Sequence, residues 1–151
     1  MEKKLKVAAL KDGTVIDHIP SGKLFKVVQI LHLDTCINQI TLANNLDSKK
    51  IGKKGLVKIA DRALAENETN KLALICPNAK INIIRNFDVV EKRPLILPDE
   101  IREVVQCPNP VCITNHQPVI TRFFVLKDND QTRLKCRYCE REVKVEEVKI
   151  K

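Results

Sequence analysis

The sequence predicts an α+β chain in two parts: an N-terminal two-layer sandwich of mostly antiparallel sheet with two helices, then a small antiparallel β domain gathered round four cysteines. Three observations predict this. Apolar residues in the first ninety positions switch between a period of two and a period near 3.6, and they do so twice. Beyond Pro98 no helical period remains. Between these stretches, Pro94 and Pro98 interrupt the strand-like run Glu91–Pro98, as prolines do at the end of a unit. The expected domains are residues 1–96 and 97–151.

The N-terminal elements follow in order. Leu5–Leu10 and Thr14–Ile19 read as strands joined by Lys11-Asp12-Gly13, a turn in which glycine can take positive φ. From Leu24, residues Val27, Val28 and Leu31 fall at helical spacing and predict a helix to about Leu33. Gln39–Leu46 and Gly55–Ala60 return to strand. A second helix is expected over Asn67–Ile75, with Asn67 as N-cap, Glu68 in the first turn and Pro77 beyond the end. Lys80–Ile84 and Phe87–Glu91 then form a hairpin around Arg85-Asn86. In the C-terminal part, Ile101–Gln106, Val119–Leu126, Thr132–Cys136 and Glu142–Lys149 read as short strands.

Composition narrows the classes of function. With 44% hydrophobic residues in 151, the chain can bury a core. No apolar run is long enough for a bilayer, and MEKKLKVAAL is not an export signal, so a cytoplasmic protein is expected, with no membrane partner. The net charge of +8 asks for an anionic partner: nucleic acid, a nucleotide or an acidic protein surface. Residues 1–93 hold 17 Lys and Arg against 10 Asp and Glu, whereas 94–151 hold 10 against 9, so the excess lies in the first part.

Six cysteines without an export signal suggest metal or free thiols rather than disulfides. Cys107-x4-Cys112 and Cys136-x2-Cys139 make two chelating loops that can complete a tetrahedron, for which zinc is the expected ion. Four thiolates leave no open position, so one structural zinc ion (Zn2+) is expected; four buried free thiols are the alternative. It would stabilise a β domain of about 50 residues, marginal on core size alone. Cys36 and Cys76 read as small core residues, and His116 and His32 as non-ligands.

Asp17-His18 closes one expected strand, and Lys54, Lys58 and Lys92 lie on later ones. No nucleophile, third triad member or glycine-rich phosphate loop accompanies the Asp-His pair, so catalysis is disfavoured. Lysines on separate strands can instead meet over one end of the sheet and hold phosphates. The alternative is a solvated lysine face.

Several runs together resemble the regulatory chain of aspartate carbamoyltransferase. They are Gly13–Pro20 (GTVIDHIP), Lys54–Ile59 (KGLVKI), Leu72–Pro77 (LALICP), Asn82–Val90 (NIIRNFDVV), Cys107–Asn109 and Lys135–Glu140 (KCRYCE). The resemblance spans nearly the whole chain. It implies a non-catalytic subunit of pyrimidine biosynthesis that binds CTP as feedback inhibitor and ATP as activator. It places the base and ribose against Ala9, Leu10, Val15, Asp17, Lys58, Ile84, Phe87 and Val89. The phosphates fall to His18, Lys54 and Lys92, with Asn82 near the sugar or phosphates. It also implies that the zinc domain docks on the catalytic chain through Asn109 and Glu140, and that the chain self-associates as a regulatory dimer. Phe87 stands where a tyrosine is familiar, and Val111 where a polar docking residue is. Nucleic acid is not an expected partner, because the zinc part is near neutral and offers few aromatic side chains.

Overall fold

A computed structural model of the chain describes residues 9–128 and 131–151. The expected strand Leu5–Leu10 lies almost wholly outside these residues, and Ala9 and Leu10 have no regular structure. In chain order the first elements are β1 (Gly13–Pro20), α1 (Leu24–Ile30), β2 (Ile40–Ser48), β3 (Gly52–Ala60), α2 (Glu66–Ile75), β4 (Lys80–Arg85) and β5 (Asp88–Pro94). The strands form one antiparallel sheet in the order β2-β3-β1-β4-β5.

Both helices pack on one face of this sheet. Ile16, Ile19, Val57 and Ile59 from the strands meet Leu24, Val27, Leu31 and Leu72 in one core, each almost fully buried. Burying each such aliphatic side chain contributes about 1.5–3 kcal/mol. Strict alternation would send Ile16 and Ile19 to opposite faces. A bulge sets Asp17 and His18 against Leu56 alone, and His18 takes a left-handed φ of 59°, so Ile19 turns inward again. A matching bulge in β2 sets Asn44 and Asn45 against Gly55, with Asn45 at φ 59°. Leu24 lies over Gly55, its Cδ1 only 3.2 Å from where a Cβ would stand.

Several boundaries differ from the sequence reading for local reasons. The first helix stops at Ile30 because His32 adopts φ 53°, and Leu33–Thr35 continue only as a 3-10 turn. The second helix begins at Glu66, with Ala65 rather than Asn67 at the N-cap; Glu68 reaches back to accept the Ala65 N–H at 3.1 Å. The hairpin of β4 and β5 turns at Asn86-Phe87, both with positive φ, instead of Arg85-Asn86. Phe87 therefore occupies the turn, and β5 runs on to Pro94. In β1, the described neighbours are β3 and β4, so the hairpin expected with residues 5–10 is not among the described pairings.

The remaining elements are β6 (Glu100–Arg102), β7 (Val105–Gln106), β8 (Arg122–Asp128), β9 (Gln131–Cys136), β10 (Glu142–Lys144) and β11 (Lys149–Ile150). The order β10-β9-β8-β6 makes an antiparallel sheet, and β7 pairs with β11. The expected strand 101–106 is broken at Glu103, which has φ 56°, and the expected strand 142–149 by a 3-10 turn at Val145–Glu147. Ile101, Phe123 and Cys136 form one cross-strand row, and Val125, Leu134 and Val143 a second. Both rows face a core that also contains Cys107, Cys112 and Leu74 from α2. Among the described residues no helix is long and apolar enough to cross a membrane.

Candidate functional site

The sheet face opposite the helices carries the expected cations. Lys58 stands opposite Val15, Val15 opposite Asn82, and Asn82 opposite Lys92, so four of the candidates form a single row across β3, β1, β4 and β5. Facing residues of an antiparallel pair share a side of the sheet. One step along the strands, Ile84 and Val89 pair in a second row. One step the other way lie Asp17 and Lys80. The lysines thus meet over a face of the sheet as well as at its end.

Asp17 organises the polar end. Its Oδ1 accepts the His18 backbone N–H at 2.6 Å and lies 2.9 Å from Lys54 Nζ, with both side chains about four-fifths buried. Partial burial pushes the Asp17 carboxyl upward, but Lys54, the His18 N–H and the His18 ring outweigh it and hold it below its ordinary value. Burial pushes the His18 imidazole down, and Lys54, Lys50 and Lys80 push the same way against the pull of Asp17. His18 Nδ1 is buried and has no hydrogen-bond partner among the described residues; Asp17 Oδ2 is 3.6 Å away, too far for one. A buried polar atom left in this way suits a site that a ligand or water completes. Burial also lowers the Lys58 ammonium pKa, opposed by Asp17.

At the other end, a cavity of about 280 Å³ brings Ala9, Leu10, Lys58 and Phe87 together. Its wall adds Lys11, Asp12, Gln39, Thr41 and Asp61, which the sequence reading did not single out. Thr41 carried a retrievable signal, since it faces Lys58 across β2 and β3. The others depend on backbone contacts that join distant segments. Phe87 N–H donates to Lys11 O at 2.9 Å, Asp61 N–H donates to Asp12 O at 3.1 Å, and Asn86 N–H donates to Asp12 Oδ1 at 3.1 Å.

The second constellation is the four cysteines. Cys107 follows β7, Cys112 precedes a 3-10 turn, Cys136 ends β9, and Cys139 lies in the turn after it. Their sulfurs all lie within 4.8 Å of one another, with Cys107–Cys139 and Cys112–Cys136 at 3.7 Å. A tetrahedron of thiolates about 2.3 Å from a zinc ion has edges of about 3.8 Å. The four residues therefore fit such an ion. Asn115 Nδ2 donates to the carbonyls of Cys107 and Asn109 at 2.9 and 2.8 Å, which fixes the first loop. Glu140, with φ 62°, donates its N–H to Cys136 O at 2.9 Å and closes the second. His116 stays out of the cluster, exposed, its Nε2 2.6 Å from Pro110 O. Cys36 is half-buried, and burial pushes the Cys76 thiol up to about 12.

The expected docking residues Asn109 and Glu140 lie on these two loops, half-buried and exposed respectively. Around them Val111 is 80% exposed, Ile113 44% and Tyr138 40%, the last donating its hydroxyl to Ile120 O.

Comparison with known proteins matches both parts of the chain. The family model described as aspartate carbamoyltransferase regulatory chain, allosteric domain, covers residues 5–95, and that for the metal binding domain covers 99–149. A protein of Bacteroides fragilis named aspartate carbamoyltransferase regulatory chain is 52% identical over 146 residues, spanning 97% of this chain and 95% of its own. Proteins of the same name from Parabacteroides distasonis and Pyrococcus abyssi are each 49% identical, covering 99% and 96% of this chain and 97% and 96% of their own. With both halves matched over nearly their full length, the chain belongs to the family of aspartate carbamoyltransferase regulatory chains, with an allosteric and a metal-binding part and no catalytic role of its own.

Proposed function

We propose that the outer sheet face binds CTP as inhibitor and ATP as activator, and that the metal-binding part carries one Zn2+ and docks on the aspartate carbamoyltransferase catalytic chain. The row Lys58, Val15, Asn82, Lys92 is the observation that carries the nucleotide reading. Apolar Val15, Ile84 and Val89 flank a base there, with Ala9, Leu10 and Phe87 closing its far side. Asp17 is an acceptor for an amino group or ribose hydroxyl, and Asn82 sits between sugar and phosphates. His18, Lys54 and Lys92 supply charge-assisted contacts to phosphate oxygens.

The four cysteines would hold the zinc, which supplies a rigid tetrahedral crosslink between the two loops. The loops present Asn109 and Glu140 beside exposed Val111, Ile113 and Tyr138, a mixed apolar and polar patch suited to a protein partner. Regulation then requires that nucleotides bind two quaternary states with different affinity. A route between the sites is supported by α2, which places Leu72 in the sheet core and Leu74 in the core that contains the cysteines. In the described sheet β2 is an edge strand with Leu42 exposed, which suits self-association as a dimer. A pyrimidine-pathway role in the cytoplasm accords with this reading.

The test is co-purification with an aspartate carbamoyltransferase catalytic chain, followed by activity with and without CTP. Binding of the catalytic chain and a CTP-dependent rate are expected. Tight calorimetric CTP binding left unchanged in both Lys58→Ala and Lys92→Ala would refute the proposed face.

A further inference from the structure

A cavity of about 810 Å³ opens where the two parts of the chain meet. Its apolar wall is built by Leu74 and Ile75 of α2 and by Leu95, Ile96 and Leu97 of the linker that follows β5. Leu95 packs against the sheet core and Leu97 against the core that holds the cysteines. Ile96 between them joins neither core and is 71% exposed. Four lysines stand round this wall: Lys23 in the turn before α1, Lys26 in α1, Lys127 in β8 and Lys144 at the end of β10. Among the described residues none of the four forms an ion pair, and Glu146 is the one carboxylate that lines the cavity. Four lysines against one glutamate give the lining a net charge of +3.

We propose that this cavity binds a small aliphatic dianion, an apolar chain with an acidic group at each end. Lys23 and Lys26 belong to the first part of the chain and Lys127 and Lys144 to the second, so each pair can meet one acidic group through charge-assisted contacts. Lys127 Nζ donates to Leu97 O at 3.2 Å, which holds that ammonium at the linker and leaves it two further N–H groups. The body of the ligand covers Ile96, and burial of apolar surface on both sides supplies the remaining affinity. The volume falls within the roughly 300–1,000 Å³ of small-molecule sites.

The make-up of the wall separates this occupant from a nucleotide. No aromatic side chain lies among the described lining residues to stack on a base. None of them belongs to the row Lys58, Val15, Asn82, Lys92 or to the cavity at Phe87. A ligand seated here touches α1, α2, the linker and the C-terminal sheet at once. It would tie the two parts of the chain together while leaving the outer sheet face and the cysteines untouched.

The experiment is calorimetric titration of the full chain with octanedioate and dodecanedioate at one ionic strength. Dodecanoate, which lacks the second charge, and succinate, which lacks the apolar body, are the comparators. The titrations are repeated on Lys26→Gln, Lys144→Gln, the double variant and Ile96→Ser, with Lys53→Gln, outside the cavity, as charge-matched control. The expected result is that at least one of the two long dianions binds once per chain, about tenfold or more tightly than either comparator. The double variant should lose about tenfold or more of that affinity, Ile96→Ser about threefold or more, and Lys53→Gln less than about twofold. Failure of both long dianions to bind, equal affinity for dodecanoate, unchanged binding in the double variant, or an equal loss in Lys53→Gln would each overturn the proposal.

Discussion

Asp17 and Lys54 meet at 2.9 Å across the bulge that turns β1, and the same carboxylate oxygen accepts the N–H of left-handed His18. One side chain thus holds a lysine in position and satisfies the backbone of the distortion that brings it there. In Asp17→Asn the charge is lost from a mostly buried pair, which should cost about 1–3 kcal/mol in urea denaturation at pH 7. The native carboxyl titrates below its unfolded value, so its stabilisation is complete above about pH 4 and is lost as pH falls through the native value. The gap between the two proteins should close below pH 4; a gap unchanged at pH 2 would mean that another interaction is responsible.

His18 should make nucleotide binding proton-linked. Its imidazole is held below the ordinary histidine value in the free chain, and phosphates beside it would raise it. Binding then takes up a proton, so affinity for CTP should increase as pH falls from 8 toward 6. Substitution by asparagine keeps a residue tolerant of positive φ but cannot carry charge. Calorimetry in buffers of different ionisation enthalpy should show proton uptake by the native protein reduced in His18→Asn; equal uptake in the two would assign the linkage elsewhere.

At Gly13 the backbone has φ 143°, and an added Cβ would stand 2.1 Å from Ile59 O. Gly13→Ala must push β1 away from β3 or distort the backbone. A loss of about 1–3 kcal/mol is expected, readable as a lowered urea midpoint. Retention of the original midpoint would show that the strand end can move freely.

Phe87 tests whether function is favoured over stability. It holds φ 69° in the second position of a two-residue turn, where glycine is preferred, and is 62% exposed. Phe87→Gly should raise stability by roughly 1 kcal/mol by removing the left-handed strain. The same change should weaken CTP binding, since the ring lines the cavity with Leu10 and Lys58. Stronger CTP binding in the variant would remove Phe87 from the base pocket.

Cys136→Ser should lower bound zinc from one equivalent toward none, measured by atomic absorption on the full chain. Amides of β8 and β9 should then exchange like unfolded backbone, because Phe123, Leu134 and Cys136 share one core. Amides of β1 and β3 should stay protected. Full protection of β8 and β9 without metal would show that their packing suffices.

The cysteine centre was legible because spacing within two short loops sets which sulfurs can chelate together, and the fold only had to bring the loops near. The row of Lys58, Val15, Asn82 and Lys92 was harder. Pairing between strands far apart in the chain decides it, and alternation tells which residues share a face without telling which strands are neighbours. Resemblance named those residues where alternation could not. Three of the misplaced boundaries, the end of α1, the β4–β5 turn and the break in 101–106, share a cause: His32, Asn86, Phe87 and Glu103 take positive φ without being glycine. Phe87 and Glu103 in particular end an element while giving no compositional sign of it.

Helix α2 has one further consequence. Two buried residues a helical step apart, Leu72 and Leu74, belong to different cores, and Leu74 forms a wall of the one that holds the cysteines. A fragment cut at Pro98 would carry every metal ligand yet lack that wall. Its apolar socket would open to water, so the severed piece should be prone to clump even when fully loaded with metal.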